Sequence, residues 1–180
     1  LVAKCIVGGI ADIERRVRSW GSFCVHETAE MRQFTLEISY SQIAIFNVAI
    51  DRPFNDWTKE HVDQGFCWRE GSVSFRTAVK AGNSKITIDR VAKVELRDDV
   101  VVAISVPFHV SGNAVEIASV FKGEVIDMES GDYELVYQTG RTGVSPWVSL
   151  QFIPGKIKTA TILNGADHLK PPAELIMTAE

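Results

Sequence analysis

From Phe34 onward the chain acquires a period of two. Phe34, Leu36, Ile38 and Tyr40 fall on one face and Thr35, Glu37 and Ser39 on the other, as a half-buried strand requires. Ile43, Ile45 and the residues to Val48 continue the pattern. Similar runs follow at Val73–Val79, Lys85–Val91, Val100–Val110, Val115–Phe121, Tyr133–Tyr137, Val148–Phe152 and Ile157–Leu163. Between them stand turn signals such as Glu70-Gly71, Ala81-Gly82-Asn83, Ser111-Gly112-Asn113, Ser130-Gly131-Asp132 and Gly140 to Gly143. Many short strands at this spacing predict an all-β fold, an antiparallel β-sandwich. Val100 to Val106 is apolar almost throughout and suits a central strand covered on both faces. Pro107 must then mark its edge, a bulge or its end, because it has no N–H to give a ladder. One segment departs from period two: Asn55-Asp56 offers an N-cap, Glu60 falls near the positive end of a helix dipole, and Gly65 can stop the helix. This predicts one short helix of about two turns, too short to stand alone and pinned by Trp57 and Val62.

A chain of 180 residues is long enough for one domain with a full core. Its apolar fraction of 46% and charged fraction of 23% separate it from disordered sequences. The formal net charge is -4 and no Lys/Arg block occurs, which argues against direct nucleic-acid binding. The three cysteines, Cys5, Cys24 and Cys67, form no disulfide framework or CxxC pair and fit a reducing compartment. No apolar run is long enough for a transmembrane segment. Residues 1–33 read as an N-terminal extension and not as a secretory leader. Met31 precedes the first alternating strand, so residues 1–30 are either a translated upstream region or a genuine short helix around Ile10–Val17; the pattern fits both equally. The β-sandwich domain then spans 34–163. Residues 164–180, with Pro171-Pro172, read as a loosely packed C-terminal tail.

Chemistry-bearing motifs are scarce. GxSxG, HExxH, P-loop and GxGxxG are absent, and the Gly140–Gly143 cluster is better read as a hairpin loop. The four histidines lack metal spacing, so neither a metal nor a cofactor is expected. His109 in its apolar strand is a structural histidine before it is a base. Cys67, between Phe66 and Trp68, is a buried inert thiol before it is a nucleophile. Asp127, Glu129, Asp132 and Glu134 read first as a solvated turn. Phe54, Asp56, Trp57 and Glu60 near the helix combine aromatics and acids as protein interfaces do, although core packing is the commoner use of a tryptophan.

Five stretches occur in the order and spacing of a known family: Leu36–Gln42, Asp56-Trp57-Thr58, Gly71–Phe75, Val106–Val110 and Gly131–Leu135. Over roughly Phe34 to Tyr137 the chain resembles the competence protein ComJ family, the likeness becoming vague beyond Gly140. The resemblance implies a non-catalytic inhibitor whose partner is a NucA-type DNA nuclease, in competence or as an immunity protein against a toxin nuclease. It also agrees with a start at Met31. A cytoplasmic location follows as an expectation, peripheral to the membrane through the partner. Asp56, Trp57 and Glu60, with Asp127, Glu129 and Asp132, are the candidate partner-binding residues, acids standing where phosphates would bind. Another class of protein, a ligand-binding sandwich recognising carbohydrate or lipid headgroups through its loops, fits the same strand pattern.

Overall fold

The computed structural model describes residues 31–179, so the readings of residues 1–30 lie outside the described residues. Eleven strands and one α-helix follow in order: β1 (Arg32–Ile38), β2 (Gln42–Asn47), α1 (Lys59–Gln64), β3 (Phe66–Arg69), β4 (Ser72–Arg76), β5 (Gly82–Arg90), β6 (Val100–Val110), β7 (Ala114–Ala118), β8 (Gly123–Asp127), β9 (Gly131–Thr142), β10 (Ser145–Pro154) and β11 (Thr161–Asn164). They build a sandwich of two sheets, ordered β1-β5-β10-β9-β6-β11 and β3-β4-β2-β7-β8. The expected all-β sandwich with one short helix is observed. All strand pairs are antiparallel except β5 and β10, which run parallel with Lys85 opposite Trp147.

Alternation puts one face of each strand into the core. Leu36, Ile38, Ile86, Ile104, Leu135, Tyr137, Leu150 and Phe152 from the larger sheet meet Ile43, Ile45, Phe66, Val73, Phe75 and Ile117 from the smaller one, all nearly or fully buried. Tyr137 stacks on Phe75 with ring centroids 4.4 Å apart, and its hydroxyl donates to the Arg76 carbonyl, which satisfies the phenol's polar end. Burial pushes its pKa above the ordinary phenol value.

The outer faces are not simply solvated. The connection from β5 to β6 skips two strands of its own sheet, and residues 91–99 cross over β10 and β9 to make it. Gln151 accepts from the Glu95 N–H at 3.1 Å and donates to its carbonyl at 2.7 Å. Gln138 donates to the same carbonyl at 2.8 Å and accepts from the Arg97 N–H at 3.0 Å. Two buried glutamines thus supply the crossing backbone with the partners that water would otherwise give. Beyond them Arg97 lies 3.9 Å over the Trp147 ring and pairs with Asp99, and Asp99 also accepts from the Trp147 indole and the Thr142 hydroxyl. On the outer face of β6 Ala103, opposite Gln138, is buried, while Val101 stays 36% exposed. Pro107 lies inside β6, but β11 pairs with that strand only as far as Ser105, so the proline occupies its uncovered edge, as its missing N–H demands.

Several expectations are corrected. The helix cap is Thr58, which forms a capping box with His61, whereas Asn55 is buried and bonds the backbone of β3 and β4. His61 and Gln64 pin the helix, and Val62 faces solvent. Two short strands, β3 and β8, carry no period-two pattern: β3 is covered on both faces, and β8 is an edge strand of which Ile126 alone is buried. The tail is tied down. Gln64 donates to the Ile176 carbonyl and accepts its N–H, His61 Nε2 lies 3.1 Å from the Thr178 carbonyl, and Leu169 is buried beside Gly65.

Two outcomes follow for stability. A Cβ at Gly140 would stand 2.3 Å from the Asp99 carbonyl oxygen and 2.5 Å from the Trp147 ring. Gly140→Ala should therefore cost about 1–3 kcal/mol in urea unfolding, as overpacking does. The Arg97 hydrogen bond, then the Thr142 bond and the Arg97 charge, hold the Asp99 carboxyl down to about 2. A folded pKa below the unfolded value of 3.8 stabilises above that value, and the gain is lost as pH falls from about 4 towards 2. Asp99→Asn should flatten the pH dependence of the unfolding midpoint within that window.

Candidate functional site

The two groups of candidate residues rest on different elements. Residues 48–57 leave β2 and cross the outer face of the smaller sheet, as 91–99 cross the larger one. Asn55 Nδ2 donates to the Cys67 and Ser72 carbonyls, and Arg69 donates to Asn55 Oδ1 and to the Arg52 carbonyl. Cys67 Sγ donates to the Asp56 carbonyl. Burial pushes this thiol up to about 12, so it stays protonated and inert, as its apolar setting implied. Phe54 closes edge-on over Phe46 at 5.9 Å. So anchored, the segment presents the Asp56 carboxylate to solvent and leaves Trp57 half-buried, its indole N–H donating to Gln42 Oε1 at 3.0 Å. Glu60 follows in the first turn of α1, where helix N–H groups and the Thr58 hydroxyl hold its carboxyl below the usual range.

The second group lies where β8 hands over to β9. Asp127 ends β8 opposite Ala114, and Glu129 and Asp132 flank Gly131 at the start of β9. Glu129 pairs with Arg90 at 2.7 Å. Asp132 meets His109 Nδ1 at 2.8 Å and Lys156 Nζ at 3.8 Å, and the His109 bond chiefly holds its carboxyl below the usual range. Glu134, also in the acidic run, instead accepts from Ser105 on the outer sheet face.

These groups do not form one surface. Trp57 reaches Gln42 at the start of β2, whereas Asp127 lies beyond Val115, which opposes Asn47 at its end. They sit at opposite ends of the smaller sheet, and its edge strands β3 and β8 are four strand spacings apart, about 19 Å. The acidic end has further members that sequence reasoning missed. Asn47, nearly fully buried, donates to the His109 carbonyl and accepts from the Ser111 N–H, holding the β6–β7 turn against the end of β2. Between them opens a cleft of about 270 Å³ lined by Asn47, Ala49, Ile50, Glu70, Gly71, His109 and Ser111. Glu70 lines the cleft with the apolar Ala49 and Ile50, and His109, also in its wall, bonds Asp132 outside it. The only sequence signal for Glu70 was its place in a turn.

A small sandwich with its candidate acids at turns and element ends, and with Cys67 buried, has the organisation of a recognition module. The family model described as Competence protein J (ComJ) matches residues 35–153, and the chain belongs to that family. The match includes all six candidate residues and runs through β10, beyond the point where the sequence likeness became vague. The DNA-entry nuclease inhibitor of Bacillus subtilis (strain 168) is 30% identical over 105 residues, 58% of this chain and 78% of that protein. The crystal structure of ComJ, inhibitor of the DNA degrading activity of NucA, from Bacillus subtilis, superposes with a TM-score of 0.64 at 24% identity, over 71% of this chain and 98% of that one.

Asn55 supplies the test of how the first group is positioned. Asn55→Ala leaves the Cys67 and Ser72 carbonyls and the Arg69 guanidinium short of partners, and should cost about 1–3 kcal/mol, read from the urea midpoint.

Proposed function

We propose that this chain is a non-catalytic inhibitor of a NucA-type DNA nuclease and that its acidic end meets the enzyme. Membership of the ComJ family carries the first part, since the relatives are named for that inhibition. The geometry supports the second. A nuclease must grip a polyanion with cationic side chains, and the acidic end offers Asp127, Glu129 and Asp132 on one turn beside a cleft edged by Glu70. Lysine or arginine stems from the enzyme would enter the cleft with their apolar length on Ala49 and Ile50. Inhibition is then occlusion of the DNA-binding surface, without DNA contact by the inhibitor. Competence and toxin immunity are both served by this mechanism.

Titrating a NucA-type nuclease with the purified full chain should abolish DNA cleavage near equimolar ratio, with a complex on a sizing column. Absence of both at molar excess overturns the inhibitor reading and favours the ligand-binding sandwich. Asp127→Lys with Glu70→Lys should slow association and weaken its salt dependence. If instead Trp57→Phe and Glu60→Lys disrupt the complex while the acidic-end pair does not, the inhibitor reading stands and the interface moves to the helix side.

A further inference from the structure

Three turns at one end of the sandwich hold the three most exposed large apolar side chains among the described residues: Val144 at 90%, Tyr40 at 77% and Phe121 at 75%. This is the end opposite the acidic turn. Tyr40 tips the β1–β2 turn, Phe121 the β7–β8 turn and Val144 the β9–β10 turn. The Ser39 N–H donates to Ser119 Oγ at 3.1 Å, which ties the first two turns together and leaves their rings 6.4 Å apart. The parallel register places Val144 level with Gly82, which opposes Ile38. Two strand spacings, about 10 Å, separate it laterally from β1.

The turns that carry these side chains bear charge of one sign, while Asp56 and Glu60 stand to one side of them, on the Trp57 segment that bonds Gln42 and on α1. The stretches 39–42, 76–83, 119–123 and 140–146 contain Arg76, Lys80, Lys122 and Arg141 and no carboxylate. They interlock: Arg141 donates to the Ala78 carbonyl at 3.4 Å, and the Lys80 carbonyl accepts from the Ser41 N–H at 2.9 Å. The carboxylates around them lie on the strands and their approaches: Glu37 opposite Asn83, Glu116 reaching Gly123, Glu124 on β8, Asp98 before β6, and Asp99 engaged by Arg97, Thr142 and Trp147. The Tyr40 turn is also an unfavourable choice of residues. Tyr40 and Ser41 both hold left-handed φ, 55° and 58°, where a two-residue hairpin ordinarily takes Asn-Gly. A tyrosine held in that conformation, with its ring in solvent, gains nothing from core packing.

We propose that this end docks peripherally on an anionic lipid bilayer, with Tyr40, Phe121 and Val144 entering the interfacial zone and the four cations meeting headgroups. Aromatic rings favour that zone, and each cation near an anionic surface adds about fivefold in affinity. Among the described residues no helix is long and apolar enough to cross a bilayer. A single-stranded nucleic acid would use the same cations but needs flat faces for its bases, and Val144 has none. Docked this way, the molecule points Asp127 to Asp132 away from the lipid. The inference is independent of the inhibitor reading.

The full chain should sediment with vesicles of phosphatidylcholine and phosphatidylglycerol and not with phosphatidylcholine alone, and added salt should weaken the binding. Phe121→Ser should reduce affinity about tenfold and Lys122→Glu at least about fivefold. Both side chains are exposed, so unchanged melting curves certify the fold. Failure to bind the mixed vesicles, equal binding to both compositions, or indifference to both substitutions overturns the proposal. So does capture of a single-stranded oligonucleotide through Lys122 and Arg141 without vesicle binding. Inhibition of a nuclease on DNA in lipid-free solution reports separately on the nuclease reading.

Discussion

A polypeptide that crosses the face of its own sheet has to find partners for backbone groups that water can no longer reach, and this chain does so twice. On the larger sheet Gln138 and Gln151 bind the Glu95 backbone from both sides; on the smaller one Asn55 and Arg69 join the 50–57 segment to β3 and β4. The rest of the architecture depends on these amide clamps. Without the first, the chain has no satisfied path from β5 to β6 over β10 and β9. Without the second, Cys67 and the outer residues of β4 lose their cover, and the segment bearing Asp56 and Trp57 loses its seat. On the larger sheet the glutamines donate and accept at once, which suits the crossing backbone's N–H and C=O, whereas on the smaller one Asn55 reaches from the crossing segment to the sheet and Arg69, Ser72 and Cys67 donate to the segment's carbonyls.

The loops beyond these clamps divide by chemistry. One end of the sandwich gathers a run of carboxylates around a cleft, and the other sets cations on turns with exposed apolar tips, with Asp56 and Glu60 to one side. For a protein whose relatives silence a DNA-degrading enzyme, the division permits two simultaneous contacts without competition between them. The candidate residues near the helix and those of the β8–β9 turn fall at different ends and do not mark a single interface in three dimensions.

The legible parts of the fold were those whose pattern is repeated along one element. Phe34 to Tyr40, Lys85 to Val91 and the long apolar run of β6 declared themselves because each strand's own residues alternate or stay apolar. The strands β3 and β8 did not, since four residues covered on both sides and an edge strand with one buried residue carry no period. Asn55 had the chemistry of a cap and was instead recruited by the backbone of two strands distant in sequence, leaving the role to Thr58. The candidate site was legible only in part: Asp127, Glu129 and Asp132 stood out as a run of acids, but Glu70, His109 and Asn47 join them through contacts between turns that no local pattern encodes.

The single parallel pair carries a consequence for how the molecule comes to exist. Strand β5 is flanked by β1, made about 50 residues earlier, and by β10, made about 62 residues later, with registers such as Ile88 opposite Leu150. An emerging chain can close the β1–β5 pair early, yet it holds an open hydrogen-bonding edge on β5 until the last third has been synthesised. The larger sheet therefore completes late, when β10 fills the gap between β5 and β9, with loop closure setting the pace, and the nascent chain passes through a stage in which its own β5 edge is available to any strand that reaches it first.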